Sequence, residues 1–353
     1  MKIMNKKKLL ILNISTDSKD TSLGFAISWL NIFSKECDEI NVITLNKGDI
    51  SNLNENISIY EVENKSKIRR LTSFIKILYK LTKNNKYSFC LSHMSALLII
   101  ISFPILNLRK IRSVFWYTHQ GPKNLFKKLI LMKALLLSNN VITASKYSFP
   151  YRNKKVISIG HAIDYDLFYK EVNNFEKKGF AIISRISKSK KIDESISGFL
   201  NSNFSLSNNI SIIGEAITKE DRKYKEHLIE KYKNNKNVIF LGSVPHSQLT
   251  EHLNDVGFHI NNTEKGFYDK SVLETSIHGI VNLYQNLDYD KNVPSKHIKN
   301  LRFNGSSEDL SDKLSNLEKI EEKEFIKIIK FSQKEIKKES LVSLYKRILD
   351  SFT

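Results

Sequence analysis

From residue 8 to residue 284 the chain alternates short apolar, β-branched runs with longer stretches of helical period. That alternation restricts it to parallel sheets wrapped by helices, because each run is too short and too apolar to stand outside a sheet. Strands are expected in the first half at 8–13, 40–45, 58–61, 88–91, 112–117, 141–143 and 156–159, with helices clearest at 23–35, 67–83 and 125–137. Around 164–179 the periodicity stops, and Val172, Asn173 and Asn174 read as a linker. It then restarts, with strands expected at 180–184, 210–213, 238–241, 258–260 and 280–284. Helices are expected at 192–200, 218–232, 247–253, 272–278 and 307–317, and a basic amphipathic stretch at 321–351 reads as two more. The pattern therefore predicts two α/β domains joined near residue 170. Ligands of such sheets bind beyond the carboxyl ends of the strands.

At 353 residues the chain can bury two cores. Its 56 Lys and Arg against 37 Asp and Glu give a net charge of +19. The excess suits nucleic acid, an acidic membrane face or phosphorylated small molecules, and equally a plain compositional bias toward lysine. Cys37 and Cys90 have no metal-ligand spacing and cannot build a disulfide framework, which predicts a reduced, cytoplasmic compartment. The opening MKIMNKKKLLILNIS has an apolar core, 9–12, too short for a secretory signal, and is expected to be a first strand behind a basic leader. The run at 97–106 is half the length of a membrane span and contains Pro104, so a buried helix is expected.

The segment SRISKSKKID, residues 184–193, follows a strand and opens a helix. Arg185 offers forked donors and Lys190 a compact charge, and the two can converge on one anionic group beside the free amides of the helix start. A solvated basic loop would show the same charges. The segment resembles the signature that opens the donor domain of retaining glycosyltransferases of family 4, which have the GT-B fold. Arg185, Ser187, Lys190, Ile192 and Asp193 stand in register with it, while Ser184 and Lys191 replace its two glycines.

Further segments keep that order. IIGE at 212–215 resembles a strand and glycine turn passing close to the donor, and VIFLGSV at 238–244 resembles a segment whose backbone meets the nucleobase. In NTEKGFYDKSVLE, 262–274, Glu274 matches the second of two family glutamates, which suits a ribose. Gly266 stands where the first is usual, so the loop resembles instead a variant matched by Gly266, Asp269, Lys270, Leu273 and Glu274. Glu264 or Asp269 is expected to do the missing carboxylate's work. GHAIDYDLF, 160–168, resembles the stretch before the interdomain linker.

The resemblance implies two Rossmann-like domains with parallel sheets facing across a cleft. An acceptor-side domain is expected at 1–168, a nucleotide-sugar domain at 169–330, and a helix returning toward the first domain at 331–353. It implies metal-independent transfer of a sugar, with retention, to a glycan, glycolipid or other hydroxyl acceptor, with no resident cofactor because the nucleotide-sugar is a co-substrate. Arg185 and Lys190 would hold the donor diphosphate. Gly214, Ser243, Val244, Glu264, Gly266, Phe267, Asp269, Lys270 and Glu274 would line the donor site. His119, in FWYTHQGP (115–122) where a strand ends, would face the transferred sugar. Thr21, Ser22, Leu23 and Gly24 fall where the family has a glycine-rich turn, and of that turn only Gly24 remains on the acceptor side. His93 reads as structural.

The lysines of 123–137 are expected to reach outward from a half-buried helix; the alternative is a helix resting on an anionic membrane. A sugar-nucleotide epimerase and a basic binding module remain the rival functions. An RNA-binding signature with interleaved aromatics is absent from the sequence, so no nucleic-acid partner is expected.

Overall fold

The computed structural model describes residues 7–20, 23–122 and 124–352, with Ser247 described by its backbone only. Most of the basic leader, Thr21, Ser22 and Lys123 lie outside the described residues.

The chain divides into two compact units, one of residues 1–162 with 341–353, the other of 163–340. The first holds strands β1 (Lys8–Thr16), β2 (Glu39–Lys47), β3 (Ile57–Glu61), β4 (Phe89–His93), β5 (Ser113–Trp116), β6 (Asn140–Thr143) and β7 (Val156–Ser158). They form one parallel sheet in the order β3-β2-β1-β4-β5-β6-β7. Leu9–Leu12 are buried on both faces of β1, which is why these strands read as continuous apolar runs rather than alternating ones.

Polar caps start the helices where the sequence demands. Ser66, Ser95 and Asn124 accept from the backbone N–H three residues on, at Arg69, Leu98 and Lys127. Right-handed crossovers send helices Lys67–Lys83, Ala96–Leu108 and Leu125–Leu137 to one face of the sheet. Phe25–Glu36 takes the other face, where Leu344, Tyr345 and Ile348 of the last helix, Leu344–Asp350, complete the core with Phe33 and Phe89. Arg347 donates to the carbonyls of Ile159 and His161, fixing that helix to the chain's crossing point.

The second unit holds β8 (Phe180–Ile183), β9 (Ile210–Ile213), β10 (Val238–Gly242), β11 (Phe258–Asn261) and β12 (Val281–Tyr284), parallel in the order β10-β9-β8-β11-β12. Its core is aromatic: Phe180 and Phe258 stack at 5.0 Å, and Phe175, Phe199, Phe204 and Phe325 pack around them. The stretch expected as a helix at 247–253 is a 3₁₀ helix, His246–Leu253, and a short helix at Ser295–Leu301 was not expected. No helix among the described residues is long and apolar enough to cross a membrane.

Candidate functional site

In the second sheet the strand order reverses between β8 and β11, and the carboxyl ends of those two strands flank the place where open α/β sheets bind ligands. The chain leaves β8 as Ser184–Lys191 and enters helix Ile192–Leu200. Three backbone bonds fix that exit: Ser184 N–H to Ile213 O at 3.1 Å, Ile186 N–H to Glu215 O at 3.1 Å, and Gly214 N–H to Gly242 O at 2.8 Å. The ends of β8, β9 and β10 are thus tied together, which brings Arg185 and Gly214 to the same sheet end as Ser243 and Val244. Lys191, which stands where the family signature has glycine, keeps the left-handed backbone (φ +45°) that explains a glycine there.

Lys190 and Asp269 form the centre of the cluster. The Lys190 ammonium donates to both Asp269 oxygens, at 2.8 and 2.7 Å, and lies 5.6 Å from the centre of the Phe267 ring. Asn261, the last residue of β11, donates to the same carboxylate at 3.0 Å. Tyr289 clamps the backbone of Asp269, its hydroxyl accepting from the N–H at 2.6 Å. Burial alone would push the Asp269 carboxyl up, but the Lys190 charge and these hydrogen bonds hold it below the usual carboxylate range. Glu264 pairs with Lys191 at 3.0 Å at the exposed rim. Gly266 is buried in the turn that Phe267 N–H closes on Glu264 O. Of the two carboxylates expected to replace the missing glutamate, Asp269 is the one held at the cluster's centre.

Helix Lys270–Ile277 starts directly after Asp269 and carries Lys270 and Glu274. Burial lowers Lys270 to about 8, with Glu274 opposing the shift. Glu274 is itself buried and meets His246 Nε2 at 2.9 Å. The hydrogen bond to Glu274 raises the His246 pKa against the effect of burial. A raised histidine contributes stability in full below its unfolded value, near 6.5, and loses it as pH rises through the folded value. His246→Asn is therefore expected to lower the melting temperature at pH 5.5 more than at pH 8.5, as calorimetry on the two proteins would show. An equal loss at both pH values would deny the pairing. Sequence reasoning missed His246, Asn261 and Tyr289, since no spacing ties His246 to a carboxylate 28 residues away.

Arg185 lies apart from this contact. It is exposed, and its guanidinium has no hydrogen-bond or ion-pair partner among the described residues. It lines a cavity of about 680 Å³ with Ser187, Asp193, Glu220, Tyr224 and His227. Lys190 does not line that cavity. The 3₁₀ turn Lys188–Lys190 separates the two cations and directs Lys190 toward Asp269. In the first unit, His119 is exposed just past β5, with its ring edge-on to Tyr117 at 6.0 Å. Gly24 begins helix Phe25–Glu36, its N–H on Asp20 O at 2.8 Å. His93 is buried against Phe25 and Trp29.

The sequence matches no protein-family model and no curated protein. The structure does match solved ones over its whole length. HepE of Anabaena, in complex with UDP, superposes with a TM-score of 0.75 at 15% identity, covering 97% of this chain and 98% of that one. Sucrose-phosphate synthase of Thermosynechococcus elongatus gives 0.71 at 10%, covering 98% and 100%. The lipopolysaccharide outer core galactosyltransferase WaaB gives 0.66 at 11%, covering 98% of both chains. The fold is GT-B, as the sequence resemblance implied.

Proposed function

We propose that the chain is a glycosyltransferase that moves a sugar from a nucleotide diphosphate sugar to a hydroxyl of a glycan or glycolipid, with retention and without a metal. The observation that carries the reading is the polar cluster at the switch point of the second sheet: Lys190, Asp269 and Glu274 on one side, with the unpartnered Arg185 at the same sheet end. The structural neighbours support the donor class, since HepE is described with UDP and with UDP-glucose.

In this reading Glu274 accepts the ribose hydroxyls, with His246 orienting it. Asp269 accepts hydroxyls of the sugar. The bond from the anomeric carbon to the diphosphate breaks as the acceptor oxygen bonds the same face, and the acceptor proton passes to the departing phosphate. Arg185, Lys190 and the amides at the start of helix Ile192–Leu200 stabilise the charge that develops on that phosphate. Lys190 can do so only by sharing or exchanging Asp269, so donor binding and that ion pair are coupled. The buried free Cys37 and Cys90 support a reduced, cytoplasmic setting.

A thermal-shift panel of nucleotide sugars, beginning with UDP and UDP-glucose, tests the reading. A ligand at 100 times its Kd stabilises the native state by about 2.7 kcal/mol, so a cognate donor is expected to raise the melting temperature by several degrees. Silence across the whole panel, with no sugar transferred to any glycan or lipid acceptor, would sink it.

A further inference from the structure

The whole net charge of this chain sits in one continuous stretch. Between Asn64 and Ile163 there are nineteen Lys and Arg and not one Asp or Glu, while the remainder of the chain holds 37 residues of each sign. A general bias toward lysine would have spread the excess, so the segregation has a cause of its own. The long helices elsewhere mix their signs, as Lys219–Tyr232 and Glu322–Ile336 do.

That stretch contains helices Lys67–Lys83, Ala96–Leu108 and Leu125–Leu137, which form one layer on the first sheet. The middle helix packs against both others, and Phe74, Leu106 and Leu135 point inward to the sheet. The outward side of the layer is apolar too. Ile68, Ile75 and Tyr79 lie along the first helix at 76%, 39% and 48% exposure. The middle helix has no charged residue, and it exposes Leu97 and Leu108 at its two ends. On the third, Phe126, Leu129 and Leu136 are 70%, 52% and 63% exposed. This third helix is half-buried through Leu131, Ala134 and Leu135 with its lysines outward, as expected, but leucines and a phenylalanine share the solvent face with Lys127, Lys128 and Lys133. An apolar surface spread over three adjacent helices marks a place that something covers.

We propose that this three-helix face docks on an anionic lipid bilayer, its apolar side chains entering the boundary between headgroups and acyl chains and its lysines meeting the lipid phosphates. Charge decides among the occupants. A second copy of the chain would meet by the same patch across a two-fold axis and set cation against cation. Nucleic acid would use the lysines but leave the leucines in water. A bilayer with acidic headgroups satisfies both. The inference uses no residue of the donor cluster, lies within the first unit, and stands whether or not the chain transfers sugar.

Co-sedimentation of the full chain with phosphatidylcholine vesicles, with and without phosphatidylglycerol, tests it. Binding is expected only where phosphatidylglycerol is present. Phe126→Ser/Leu129→Ser/Leu136→Ser is expected to lower the partition coefficient at least about tenfold. Lys127→Glu/Lys128→Glu/Lys133→Glu is expected to lower it about a hundredfold. Both sets alter exposed side chains, so each variant should melt with the wild type, and a variant that does not is replaced by Lys76→Glu/Lys80→Glu on the first helix. Equal binding to both kinds of vesicle, binding to neither, or a dimer in sedimentation that the serine set dissolves would each overturn the proposal.

Discussion

Arg185→Ala is expected to leave the melting temperature unchanged and to slow sugar transfer by about 10²–10³-fold, the usual loss when one preorganised donor to a developing negative charge is removed. The two halves of that expectation come from the same observation. An exposed guanidinium with no partner among the described residues stabilises nothing in the resting protein, so deleting it costs little. Lys190→Ala should behave otherwise. It leaves the Asp269 carboxylate largely out of water, with side-chain exposure of 21%, and without its cation, which costs roughly 3 kcal/mol. Lys190→Ala/Asp269→Ala should recover part of that stability, because the stranded charge goes with its partner. Transfer should be lost in both. Assays of rate and of thermal unfolding on the three variants separate a donor-binding cation from a structural one. Wild-type rates in folded Arg185→Ala and Lys190→Ala/Asp269→Ala would remove the proposed charge stabilisation altogether.

Acidity probes the same ion pair. Because the Asp269 pKa is depressed, its contribution is present above the unfolded value, near 3.9, and is lost as pH falls through the lower folded value. The wild type should therefore lose its advantage over Asp269→Asn below about pH 4.

The sheets were legible because their strands are buried on both faces. Leu9–Leu12 and Phe180–Ile183 admit no polar interruption, and each expected strand is present with its ends moved by a few residues at most. The stretch 247–253 reads as helical from its spacing, yet it folds within the tighter 3₁₀ helix His246–Leu253, a difference apolar period alone does not resolve. The site was legible as a set of residues and not as a set of contacts. Arg185 and Lys190 stand five apart on one loop, which suggests convergence, but the turn at Lys188–Lys190 gives Lys190 a carboxylate 79 residues away. Pairings at that range depend on which strands are neighbours, and sequence spacing says nothing of that. The exposed apolar side of helix Leu125–Leu137 was hidden for a related reason: with apolar residues on every side among its three lysines, the helix gives no sign of which leucines the sheet will cover.

Gly214→Ala should be among the most damaging single substitutions in the second unit. A Cβ at this position would stand 1.9 Å from the carbonyl oxygen of Ser184, closer than any real contact, and the backbone there has φ of +146°, which side chains avoid. Left-handed or similarly strained backbone costs about 1–3 kcal/mol by itself, and relieving the overlap must push apart the ends of β8 and β9, straining the Ser184 N–H bond to Ile213 O and the Ile186 N–H bond to Glu215 O. A total of at least about 4 kcal/mol is a large part of the stability of an ordinary domain. At about 2–4 °C per kcal/mol, that amounts to roughly 8 °C or more of melting temperature. Gly242→Ala supplies the comparison, since its φ is +76° but nothing lies within 4 Å of the added carbon. It should cost only the conformational part, about 1–2 kcal/mol. Because the oxygen struck by the new methyl belongs to the residue before Arg185, Gly214→Ala should also slow transfer in whatever fraction remains folded, whereas Gly242→Ala should not. If the two alanine variants melt together, the close approach of β8 and β9 is not what requires glycine at 214.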